Sequence, residues 1–173
     1  MTTTPHDRAA HARHGYSSLQ IALHWTIMVL VVTNWLLGLL MERVFDALLE
    51  GEDVVTLGPA YVHVAIGITI LIAMLIRLVV RLRRPVRTAA DSPHRLLATL
   101  GLINHWAFYG GLIVSPLFGA YAWFARSEAA GEIHSWLNYA LLALIALHVS
   151  GVIVHHLLRD PILHRMTRGT GGT

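Results

Sequence analysis

Long apolar runs broken by short polar segments dominate the chain, at residues 19–41, 61–82, 97–123 and 133–158. Each is long enough for the ~20 helical residues that span a bilayer. The first is too long for a signal-peptide core and no small-residue cleavage site follows it, so it is expected to stay as an anchor. Ser92 and Pro93 offer an N-cap and a first-turn proline to the third helix. Pro116 lies inside that helix and is expected to kink it. The pattern predicts an all-α integral membrane four-helix bundle at 19–166, with tails at 1–18 and 167–173.

Composition agrees. Of 173 residues, 55% are hydrophobic and only 13% charged, against about a quarter charged in a soluble domain. A surface so poor in charge faces lipid. There is no cysteine, which excludes disulfides, iron–sulfur clusters and thioether-linked haem. All thirteen basic residues are arginine, so a retinal Schiff base, which needs a lysine amine, is excluded too.

Charge asymmetry predicts the orientation. Arg8 and Arg13 precede the first span, Arg81, Arg83, Arg84, Arg87 and Arg95 lie between the second and third, and Arg159, Arg165 and Arg168 follow the fourth. The other two loops are acidic, with Glu42, Asp46, Glu50, Glu52 and Asp53 in one and Glu128 and Glu132 in the other. Basic segments stay in the cytoplasm, which puts both termini inside.

Against this thin polar background stand twelve histidines. His24 lies near the cytoplasmic start of span one and His63 near the periplasmic start of span two. His134 and His148 are fourteen residues apart on span four. Fourteen residues rise ~21 Å and return to within ~40° of the starting direction, so both imidazoles face one way, one per leaflet. Depth pairs His134 with His63 and His148 with His24. A low-spin haem takes two axial ligands from opposite sides, and four-helix bundles build such sites from inward-facing side chains. The histidines therefore point to two non-covalent b haems. A lone membrane histidine reads more simply as an interhelical hydrogen bond, but four at matched depths do not.

Other residues fit around these sites. Gly67 and Gly151 follow His63 and His148 on the same faces and would let a porphyrin lie against backbone. Arg77 shares the face of His63 near the inner depth; it either holds a haem propionate or snorkels to headgroups. His105 rivals His24 as the inner ligand. His155 and His156 either sit at the interface or serve a quinone site.

The run from Tyr16 to Trp25, the segment His63-Val64-Ala65-Ile66-Gly67 with Arg77 and Arg81, and His148 with His155 and His156 together resemble the bacterial cytochrome b561 family over residues 15–168. The resemblance implies a di-haem four-helix fold in the inner membrane, with ligand roles for His24 and His148 and for His63 and His134, and His105 beside them. It also implies quinone-linked electron transfer, including a superoxide:ubiquinone oxidoreductase type. In that type the loop before the fourth span is longer than residues 124–133 here, which speaks against a substrate funnel built from it.

The sequence thus leaves a quinone-linked oxidoreductase, using ubiquinone or another quinone, and an electron-transfer subunit that docks a periplasmic redox protein. A histidine-rich metal transporter would need an acidic path, yet no Asp or Glu lies within the four spans. The expected partners are lipid, a quinone and a periplasmic electron carrier, with no role for nucleic acid.

Overall fold

In a computed structural model, residues 17–51, 58–83 and 95–157 are described. They form helices α1 (Ser18–Gly38), α2 (Met41–Glu50), α3 (Gly58–Arg83), α4 (Arg95–Ala125) and α5 (Glu128–Leu157), with no strand among them. Four of these, α1, α3, α4 and α5, are long and apolar enough to cross a membrane. The molecule is an all-α membrane helical bundle.

Local chemistry sets the helix ends. Ser17 caps α1: Gln20 N–H donates to its Oγ at 3.3 Å and Ser17 N–H donates to Gln20 Oε1 at 3.0 Å. This reciprocal box satisfies two amides that the helix itself leaves open. The expected first span stops short, because the chain turns at Leu39 and Leu40 and begins α2 at Met41. In α2, Met41, Val44, Phe45 and Leu48 recur at helical spacing, with Glu42, Arg43, Asp46 and Glu50 between them. The helix closes on Gly51 in the left-handed region at φ 77°. Only Arg126 and Ser127 join α4 to α5. Arg126 makes that reversal at φ 51°, and Ser127 Oγ accepts from Ala130 N–H at 3.4 Å. The proline start expected for α4 lies outside the described residues, and α4 runs unbroken through Pro116.

Packing follows residue size. Ile27, Ile70 and Met74 form the core of an α1–α3–α4 layer, covered by Leu23, Leu30, Tyr109 and Leu112. Along α4 and α5 the seam is built of small residues: Ser115, Ala122 and Ala130 are buried. A Cβ added at Gly111 would stand 2.6 Å from Leu141. Such seams bring membrane helices close. Outside, Trp35, Leu36, Phe124, Trp136, Tyr139 and Leu157 are exposed, a surface suited to lipid, with aromatics toward its ends. Backbone polar groups stay inside the helices, as a bilayer requires.

Candidate functional site

Two pairs of imidazoles meet across the bundle. At the end carrying α2, His63 of α3 and His134 of α5 lie with ring centres 6.3 Å apart. Toward the other end, His24 of α1 and His148 of α5 are 6.4 Å apart. The first is the outer pair and the second the inner pair. The four side chains selected from the sequence are thus brought together as two pairs, ~21 Å apart along α5. By contrast with its tight packing on α4, α5 makes few close backbone approaches to α1 or α3. Each pair therefore spans a gap between helices.

The spacing fits iron between the rings. About 2 Å of metal–nitrogen bond on each side, with the half-width of each ring, puts ring centres roughly 6 Å apart. The donor chemistry fits as well at the outer pair. His63 Nδ1–H donates to the Asn34 carbonyl at 3.0 Å and His134 Nδ1–H to the Ser115 carbonyl at 2.8 Å. A carbonyl only accepts, so in both rings Nδ1 holds the proton and Nε2 keeps its lone pair for a metal. Asn138 now donates to His134 Nε2 at 3.0 Å and accepts from Ser115 Oγ at 3.1 Å; a metal on Nε2 would move that amide aside.

Glycine makes these contacts possible. A Cβ at Gly119 would stand 2.8 Å from His134 Cε1 and 2.9 Å from Nδ1, and one at Gly38 would stand 3.4 Å from His63 Cε1. At Gly67 an added Cβ would meet Asn34 Nδ2 of α1 at 3.7 Å, ordinary van der Waals contact. Gly151 has open space before it, with nothing within 4 Å of an added Cβ.

The inner pair has company. His105 lies 5.3 Å from His148 and Phe108 lies 5.7 Å from it. His105 Nδ1–H donates to the Gly101 carbonyl on its own helix at 2.6 Å. Its spacing to His148 is short for a metal between the rings, whereas that of His24 fits. Arg77 reaches across to α1 and donates to the Gln20 carbonyl at 3.0 Å. Gln20, Arg77, Arg81, His105, Trp106 and Tyr109 line a cavity of about 20 Å³. That is room for about one water-sized group, such as a carboxylate oxygen. His155 and His156 fall in the last turns of α5, and their side chains lie outside the described residues.

Asn34, Gly38, Ser115, Gly119 and Asn138 were not singled out from the sequence. The available signal was polarity: asparagine or serine inside an apolar span needs a partner there.

Comparison with known proteins agrees with this geometry. The sequence model of prokaryotic cytochrome b561 matches residues 15–169. The chain is 32% identical over 155 residues to cytochrome b562 of Cereibacter sphaeroides, covering 89% of this chain and 96% of that protein. It is 25% identical over 181 residues to the probable superoxide oxidase CybB of Yersinia pestis, covering 87% and 94% respectively. To cytochrome b561 homolog 2 of Escherichia coli K12 it is 24% identical over 174 residues, covering 87% and 90%. A match across nearly all of its length, on a bundle with facing imidazoles, means that the chain belongs to the prokaryotic cytochrome b561 family.

Proposed function

We propose that this b-type cytochrome, a haem-binding electron carrier of the bacterial membrane, moves electrons across the inner membrane through two haems. His63 and His134 hold the outer one, His24 and His148 the inner. The carrying observation is the two imidazole pairs at 6.3 and 6.4 Å on one face of α5. When bound, haem supplies an iron that takes and gives one electron at a time. The side chains orient it: Asn34 and Ser115 fix the outer rings, and Arg77, beside the inner pair, offers a propionate its remaining N–H groups. The arginine-rich segments lie toward the cytoplasm, so the outer pair faces the periplasm.

Quinone exchange belongs to the cytoplasmic end. The quinone ring is assigned to this end, near His155, His156 and the arginine-rich segment between α3 and α4. Histidine there can carry the protons that accompany quinone reduction.

Two donors are consistent with the outer end. The relative named a probable superoxide oxidase supports superoxide. A second reading, a basic periplasmic protein docking here, has its own support. Glu42, Asp46 and Glu50 of α2 and Glu128 and Glu132 of α5 share this end with only Arg43 and Arg126 among the described residues, and the two-residue α4–α5 turn builds no funnel. The deciding experiment is purification, haem quantitation and a visible spectrum, then reduction tests with quinol, superoxide and a reduced basic cytochrome. Two extractable haems per chain are expected; one or none removes the proposal.

A further inference from the structure

His63 and His134 come from different helices, yet each is seated in the same way. Nδ1–H of each donates to a main-chain carbonyl on a neighbouring helix, Asn34 of α1 or Ser115 of α4. In both cases the residue four further along that helix, Gly38 or Gly119, lies against the ring, at 3.4 Å and 2.8 Å from where a Cβ would be. Residues four apart share a helix face one turn apart. Carbonyl and glycine therefore form a notch, and the missing Cβ lets the ring in.

The inner pair is seated differently. Among the described residues, neither the His24 nor the His148 ring makes a hydrogen bond. Register explains this. Because α4 and α5 are antiparallel, a shift of fourteen residues from His134 to His148 carries Ser115 and Gly119 to Gly101 and His105. There the notch is filled: His105 stands where the glycine would be and takes the Gly101 carbonyl itself. On the other side, His63 against Gly38 and Gly67 against Asn34 set an α1–α3 register that brings Arg77 level with His24.

These differences act on a bound iron in the same direction. An imidazole that donates its Nδ1–H to a carbonyl is a more basic ligand and favours the oxidised metal. A nearby cation favours the reduced, less positive one. Resting on the two-haem reading above, we infer that the Asn34–Gly38 and Ser115–Gly119 notches position the outer ligands so that the outer haem is the harder of the two to reduce. Electrons entering at the outer face then run downhill toward the inner end.

The test is a redox titration of the purified, haem-loaded full chain, followed by visible absorbance. His63→Ala should leave only the higher-potential haem; survival of the lower-potential one overturns the inference. In Gly119→Ala the added methyl pushes His134 off the Ser115 carbonyl. The outer midpoint should rise, the inner should stay, and the outer low-spin EPR signal should change. Gly38→Ala, with its milder 3.4 Å contact, should give a smaller rise, and it decides the matter if Gly119→Ala loses the outer haem. An outer midpoint that stays or falls in the variant retaining that haem overturns the inference and leaves the two-haem reading standing. A wild-type chain with fewer than two haems overturns that reading and the inference with it.

Discussion

Phe45 packs over Gly131 so closely that a Cβ on the glycine would stand 2.9 Å from the ring edge. This contact pins α2 across the outer end of α5, three residues before His134. It also puts α2, with Glu42, Asp46 and Glu50, at the same end of the bundle as Glu128 and Glu132.

That acidic surface should steer cationic proteins. Electron exchange with a basic soluble cytochrome is therefore expected to slow as ionic strength rises, because salt shortens the field. Glu42→Gln with Asp46→Asn should flatten the dependence. Stopped-flow rates from low to high salt check this. Superoxide, an anion, should show little dependence or a slight increase; a superoxide rate near diffusion that drops steeply with salt would favour the oxidase reading instead.

Ligand loss should be separable. His63→Ala or His134→Ala is expected to halve haem content and spare the inner haem, and His24→Ala or His148→Ala to do the reverse. Haem quantitation with a visible spectrum reads both. Loss of both haems from every variant would show that the sites are not independent.

His105 tests the inner assignment directly, because it lies nearer to His148 than His24 does. His105→Ala is expected to keep both haems and perturb only the inner one. If it loses the inner haem while His24→Ala retains it, His105 is the ligand.

The inner end offers a further test. A His155→Ala/His156→Ala double variant should keep both haems and lose several-fold in quinone reduction rate. An unchanged rate removes both residues from quinone chemistry.

Packing on the α4–α5 seam is predicted from Gly111, where a Cβ would stand 2.6 Å from Leu141 Cδ2. Overpacking costs ~1–3 kcal/mol, and the low end applies because a flexible leucine tip can give way. Gly111→Ala should lower the thermal midpoint of haem release in detergent. In a cycle with Leu141→Ala, the double variant should lose less than the two singles together. Strict additivity would mean that the two residues do not press on one another.

Much of the site was legible because membrane chemistry leaves few polar residues to choose from. His24, His63, His134 and His148 stand out in apolar runs, and the fourteen-residue interval on α5 places two of them on one face. The Ser17–Gln20 capping box was not read from the sequence, although serine followed three residues later by glutamine is its signature. The notches were harder to find. A glycine in an apolar helix reads as a packing residue, and only the partner across the gap distinguishes Gly119, beneath His134, from Gly151, which faces open space.

By itself the sequence determined the spans, the absence of thiolate chemistry and the histidines able to meet, because bilayer thickness and helical periodicity act on local sequence alone. Tertiary structure decided which carbonyl each ring finds, that Arg77 crosses to Gln20 rather than outward, and that α2 folds back onto Gly131. Those contacts join residues 19 to 86 positions apart. They depend on how closely two helices approach and in what register, and side-chain size on both helices sets that together.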